Sequence, residues 1–233
     1  MYKGHSARED SEFEIPCTWD KHSDCAACSI KGDLNCKWEQ SHLSRFYKYS
    51  LPIMIFGFLG LITVGLQVSW IPLIAYVAFW IVFFGFFEIR ILCSHCPYYA
   101  EGEGRVLHCL ANHGSLKIWK YRPGPMERWE KIGFIGGFLV FVIFPIVGEL
   151  YGLISLWESL GSINGAMIVL SLLLLSSTMS GILFTIKVLT RICTKCVNFS
   201  CPLNRVPKVA VDEYLKINPV MKEAWEKTGY KIG

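Results

Sequence analysis

Four long apolar runs dominate the chain, at residues 51–68, 70–92, 132–151 and 163–189, and polar stretches separate them. Each is near or above the ~20 residues a helix needs to cross a bilayer core. Backbone inside a membrane meets no water and must satisfy its own hydrogen bonds, so the runs are expected to be helices. Only Ser69 and its neighbours join the first two, which forces a tight antiparallel hairpin. Ser50 and Pro52 read as an N-cap with a first-turn proline, and Pro145 as a kink in the third helix. The expected fold is an all-α integral membrane protein, with four transmembrane helices in two hairpins and a cysteine-rich cytoplasmic cap. The polar first fifty residues lack an apolar core with a cleavage site, so no signal peptide is expected and the first span acts as its own insertion signal.

Composition supports this reading. Of the 233 residues, 52% are hydrophobic and 18% charged, against about 25% charged in an ordinary soluble domain. The distribution of charge says more than the net +4. Seven Lys and Arg precede the first span, seven lie between Arg90 and Lys131, and nine run from Lys187 to the end. The opposite loops hold none, only Glu158 with Glu149 close by. By the positive-inside rule both termini are cytoplasmic, in a multi-pass protein of the cell's inner (plasma) membrane. Tyr47, Tyr49, Trp119, Tyr121 and Trp129 flank the inner ends, and Trp70, Tyr151 and Trp157 the outer ones, as interfacial aromatics do.

Five segments follow: an N-terminal four-cysteine module (1–46), a first hairpin (47–92), a cysteine loop (93–131), a second hairpin (132–190) and a C-terminal cysteine segment with an amphipathic tail (191–233). The hairpins end alike, in Arg90-Ile-Leu-Cys93-Ser-His-Cys96-Pro and Arg191-Ile-Cys193-Thr-Lys-Cys196. A degenerate internal repeat is one reading of them; weak side-chain similarity elsewhere argues against it. In the tail, Asn218-Pro219 reads as a helix start and Thr228-Gly229 as a stop, with Val220, Ala224 and Trp225 on the packed face.

Chemistry enters through the ten cysteines, all outside the spans. They form three groups: Cys17, Cys25, Cys28 and Cys36; Cys93, Cys96 and Cys109; Cys193, Cys196 and Cys201. Each contains a Cys-x-x-Cys, the spacing that turns two thiolates toward one ion, and soft thiolates select zinc or iron–sulfur clusters. Disulfides conflict with a reducing cytosol. A four-helix bundle with cysteine pairs superficially resembles the quinone-linked disulfide-forming membrane enzymes, but those work on the oxidising side and these cysteines lie on the basic one. Metal ligation is therefore the expectation. The first group could close a four-thiolate site alone, shielded by Trp19 and Trp38. The other two either pool Cys93, Cys96, Cys193 and Cys196, if the second and fourth helices are neighbours, or recruit His95, His108 or His113. Cys96-Pro97 and Cys201-Pro202 echo the proline after a ligand in bacterial ferredoxin runs, whereas zinc is the commoner choice for isolated pairs.

The function expected is a membrane-anchored electron-transfer subunit carrying iron–sulfur centres, [4Fe–4S] in type, that serves a soluble or membrane redox partner. If enzymatic, it works within a membrane oxidoreductase. A zinc-folded scaffold and, more weakly, a soft-metal carrier are the alternatives. The apolar spans contain no histidine, which leaves no bis-histidine haem, and no chain of charges crosses the bilayer as a proton pump would need. No nucleophile–base pair or phosphate loop is recognisable, and topology accounts for the basic residues without nucleic acid. Phe83-Phe84-Gly85-Phe86-Phe87 reads first as a lipid-facing surface, with a quinone pocket or a partner's helix as the functional alternatives.

The orientation gives a direct expectation. An impermeant thiol reagent should leave all ten cysteines of intact cells unlabelled until the membrane is opened; strong labelling from outside would invert the topology.

Overall fold

The computed structural model describes residues 16–101 and 104–233. Four helices are long and apolar enough to cross a membrane: α1 (Gln40–Gln67), α2 (Ile71–His95), α3 (Arg128–Leu160) and α4 (Gly165–Ile192). Two short helices, α5 (Lys208–Lys216) and α6 (Pro219–Glu226), follow. The described residues contain no strand, only the isolated bridges Lys31–Leu34 and Val106–Leu116. The chain is thus an all-helical, multi-pass membrane protein.

Two helices exceed their apolar runs. α1 begins at Gln40, so Ser50 and Pro52 lie inside it instead of capping it. The polar turns before Leu51 are compatible with helix, and Pro52 removes only one backbone donor. α3 continues through Pro145 to Leu160, where Gly161 takes a left-handed φ of 61° and ends it. Asn164 then caps α4, its side chain accepting from Met167 N at 2.9 Å. His42 sits in the first turn of α1 and His95 at the last residue of α2, so two histidines lie on the ends of span helices.

Glycine sets the helix spacing. Gly57 and Gly60 on α1 meet Pro145 and Glu149 of α3, while Gly148 and Gly152 on α3 meet Leu61 and Val64 of α1. With no Cβ on either side of the seam, the two backbones approach closely, as small residues allow in membrane helices. On the other flank of α3, Gly133 and Gly137 receive the rings of Phe87 and Phe83 from α2. α4 completes the bundle against α1 and α3. α2 packs on α1 and more lightly on α3, so α2 and α4 occupy opposite corners. The expectation that the second and fourth helices are neighbours is corrected accordingly: the two glycine seams place α1 and α3 between them.

A carboxyl lies within this apolar packing. Glu149, expected near the outer end of its span, is fully buried. Ser177 Oγ of α4 donates to its Oε1 at 2.8 Å, and Gly60 leaves it room. The bond ties α3 to α4 where no water competes.

Both α2 and α4 widen into a π-helical turn, at Phe83–Phe87 and Val188–Ile192, before their Cys-x-x-Cys pairs. Such turns are rare and concentrate at functional sites. Beyond them the chain folds into one apolar layer, in which Ile89, Cys93, Cys96, Tyr98, Leu107, Val197, Tyr214 and Trp225 pack together.

The glycine seam is testable by two neighbouring substitutions. A Cβ at Gly137 would overlap the Phe83 ring, whereas one at Gly136 meets nothing within 4 Å. Gly137→Ala should lower stability in detergent by about 1–3 kcal/mol, the usual cost of overpacking. Gly136→Ala should match or exceed the parent, and equal melting temperatures for the two variants would count against the seam.

Candidate metal centres in the cysteine layer

The structure gathers the ten cysteines, all free thiols, into two neighbouring sets. The outer set is Cys17, Cys25, Cys28 and Cys36, lining a cleft of about 820 Å³. Residues 1–15 of the N-terminal module lie outside the described residues, but the four thiols are all within them. Lys37 Nζ holds the loop in shape, donating to the carbonyls of Cys17 (2.7 Å) and Asp20 (2.9 Å) and to Ser23 Oγ (3.0 Å). Gly32, with φ of 87°, supplies the left-handed turn between Cys28 and Cys36. Burial, then the charges of Cys17, Cys28 and Cys25, pushes the Cys36 thiol up to about 12. Cys25 is the exposed member.

Asn218 ties this set to the tail. Expected to cap α6, its side chain instead accepts from Cys17 N at 2.7 Å and donates to Cys17 Sγ at 3.4 Å. The thiol of Cys17 is raised by burial, and the Asn218 bond opposes that rise.

The inner set contains the other six. Chains leaving α2 and α4 at opposite corners turn inward over the end of the bundle, and the loop after α2 returns with Cys109. The Cys96 thiol is raised well above its ordinary value by burial, and then by the charges of Cys109, Cys196 and Cys93. Cys201 behaves likewise, with Cys196 and Cys193 as its thiol neighbours. Cys196 is pushed up to about 12 by burial and Cys193. Cys193 rises to about 11 through burial, against the opposing Arg205 cation. Thiols from the two hairpins, Cys96 and Cys196, are thus near enough to influence each other, although their helices do not pack together.

Four of these sulfurs share a local feature. At each a backbone N–H opposes the rise that burial causes: Tyr98 at Cys96, Ala111 and Asn112 at Cys109, Asn198 at Cys196 and Leu203 at Cys201. Asn112 Nδ2 donates to Cys93 Sγ at 3.2 Å. Such N–H···S bonds stabilise a thiolate and tune any metal it holds. The sequence singles out neither Asn112 nor Asn198 and marks Asn218 only as a helix start, because an asparagine near a cysteine has no distinguishing pattern until the fold closes. Glu88 lies on α2, one turn before Cys93. It is buried, its charge bears on Cys109 and Cys201, and one of its oxygens has no protein partner.

Several hydrogen bonds join the two sets, three of them beside the cysteines. Asn35 N, next to Cys36, donates to the carbonyl of Lys195, next to Cys196, at 2.8 Å. Tyr98 Oη, two residues after Cys96, donates to Asn35 O at 2.6 Å. Trp38 Nε1, two residues after Cys36, donates to Cys109 O at 3.3 Å. Trp19 and Trp38 do not merely screen the outer set, as expected; they pack between it and the inner one, Trp19 edge-on to Tyr98 at 6.1 Å.

The histidine candidates face elsewhere. His108 Nδ1 lies 2.7 Å from Glu101 Oε2, and His113 stacks on Trp38 at 5.1 Å. His95 is buried, with Nδ1 donating to Gly124 O at 2.6 Å. Its Nε2 lies 3.2 Å from Glu130 Oε2, and the Arg122 guanidinium bonds to both. Glu130 is fully buried, accepts from Glu127 N at 2.9 Å to start α3, and has Arg90 at 3.6 Å. This network anchors the turn between Cys93 and Cys96 to the head of α3.

Among the described residues, no three His, Cys, Asp or Glu side chains converge tightly enough to hold a single ion. Comparison with known proteins gives no matching family, no matching characterised sequence and no matching solved structure.

Removing Glu130 isolates the test of the anchor. Glu130→Ala leaves Arg122 and His95 without their buried partner, and breaking such a group costs about 3 kcal/mol or more. Glu130→Gln, which keeps an acceptor for Glu127 N and Arg122, should lose less. The readout is thermal unfolding in detergent, and indistinguishable variants would contradict the anchoring role.

Proposed function

We propose that this protein is a membrane-anchored electron-transfer protein whose two cysteine sets hold iron–sulfur centres, on the cytoplasmic side of the membrane. The observation that carries this reading is the pairing of the sets: ten thiols in one layer, joined by the Asn35, Tyr98 and Trp38 hydrogen bonds. Two redox centres in series need short connections, and a purely structural metal does not. The donor chemistry fits, since soft thiolates that receive backbone and amide N–H bonds are typical iron–sulfur ligands.

In this reading the outer set, with Cys25 exposed, exchanges electrons with a soluble partner. The inner set, buried against the bundle, passes them toward the membrane. Tyr98 and Trp38 shorten the path between them and exclude water from it. The cluster supplies the one-electron chemistry, and the chain supplies position, insulation and N–H bonds to the sulfurs.

Anaerobic purification should yield a coloured protein containing iron and sulfide whose visible absorption bleaches with dithionite. Cys25→Ser combined with Cys28→Ser should remove the outer centre's share of iron and leave the inner centre's signal in electron paramagnetic resonance. A colourless protein loaded with zinc would overturn this proposal in favour of the folded scaffold.

A further inference from the structure

A second cavity, of about 590 Å³, lies at the edge of the layer where α2 enters it. Its walls are Trp80, Phe84, Gly85 and Ile89 from α2, and Leu116 and Ile118 from the loop after Cys109. We propose that this groove binds the head group of a membrane quinone, an inference that rests on the electron-transfer reading of the inner thiols.

Gly85 is the first observation. Glycine inside a helix costs about 1 kcal/mol relative to alanine, and most helix glycines here are explained by a neighbour that a Cβ would strike. At Gly85 a Cβ would meet nothing within 4 Å, and among the described helix residues the same holds at Gly136 and at Gly165, the first residue of α4. Neither Gly136 nor Gly165 borders this cavity, whereas Gly85 lines it. The space over Gly85 is thus left free by the protein's own packing. It also falls in the π-helical turn Phe83–Phe87, and such turns are frequent at functional sites.

The lining identifies the class of ligand. Trp80 and Phe84, with ring centroids 4.6 Å apart and planes tilted by 46°, line one side of the groove with aromatic surface against which a flat ring can pack face-on or edge-on. The rim is apolar and exposed, with Phe86 at 56%, Leu116 at 61% and Ile118 at 48%. Phe86 lies on the exposed apolar face of α2, and Leu116 and Ile118 on the loop above it. The groove therefore sits where the span meets the cysteine layer and is within reach of a ligand dissolved in lipid. The volume falls within the ~300–1,000 Å³ range of small-molecule sites.

The back wall joins the groove to the thiols. Ile89 packs in the same apolar cluster as Cys93 and Cys96. Gly114, on the rim, donates its N–H to Leu107 O at 2.9 Å and closes the loop that carries Cys109. Asn112 of that loop reaches Cys93 Sγ. An acyl chain would gain nothing from this adjacency, but a redox-active ring would. Two successive one-electron transfers from the inner centre, with two protons from water, convert quinone to quinol. The centre is reoxidised at each transfer and is reduced again by the soluble one-electron donor.

Full-length protein in phospholipid nanodiscs, irradiated with a short-chain azido-quinone, should be labelled within residues 80–89 or 114–118. Excess unmodified quinone should displace the label, and added phospholipid should not. Gly85→Leu, whose Cβ meets nothing within 4 Å and whose branched end would occupy the groove, should reduce labelling at least tenfold while melting temperature and metal content stay unchanged. Labelling that phospholipid displaces equally, or that survives Gly85→Leu, would overturn the proposal and make the groove a lipid seat. The same sample separates the two claims. Displaceable labelling of a protein without iron would refute electron transfer and keep the quinone site; an iron-containing protein with no labelling would do the reverse.

Discussion

A thiolate buried in an apolar layer needs a positive charge or hydrogen-bond donors beside it, because burial favours the neutral thiol. Six of the ten cysteines here sit in such a layer, and the thiols of Cys96, Cys196 and Cys201 are raised by burial and then by neighbouring thiols. Arg205, facing Cys193, is the side-chain cation that opposes the rise there. The donors supplied are mostly neutral: backbone N–H groups two residues on, and the amide of Asn112. That combination suits a bound cation, whose charge would displace the thiol protons and whose affinity would then become part of the folding energy. The proposed iron–sulfur centres would accordingly stabilise the layer as well as carry electrons.

The bundle exists, in this view, to bring the segments together. α2 and α4 end in related sequences but occupy opposite corners, separated by the glycine seams of α1 and α3. Each chain passes through a π turn before its Cys-x-x-Cys pair, and the segments beyond pack into one layer with Cys96 and Cys196 near each other. The Glu130 network then fixes one pair to the head of α3. The N-terminal set is added from outside by the Asn35–Lys195 contact and by the tail, through Asn218. Segments more than two hundred residues apart thus share one hydrogen-bonded surface.

The corner position of α2 has a second effect. It is the least covered of the four spans, with a buried share of 17%, and its inner half exposes Gly85 beside an aromatic surface. A helix buried on all sides could not offer a groove within reach of lipid, and one remote from the cysteine loop would have no reason to. The proposed quinone site therefore depends on the same asymmetry that keeps α2 and α4 apart.

Four spanning helices could be read directly, because a bilayer demands long apolar runs and the chain has four. The candidate ligands were legible too, since Cys-x-x-Cys is a local spacing that needs no tertiary knowledge. Helix ends were less so: at Gln40 and Leu160 the helices run on past the apolar runs, where hydropathy no longer reports them. The pairing of α1 with α3, the burial of Glu149 against Ser177 and the joining of the two thiol sets were decided by tertiary structure alone. Each depends on which faces meet, and a helix shows its hydrophobicity in sequence but not its neighbour. Ten thiols and four spans were therefore written along the chain, whereas the layer that assembles them arises only when distant backbone donors and carbonyls come within hydrogen-bonding reach.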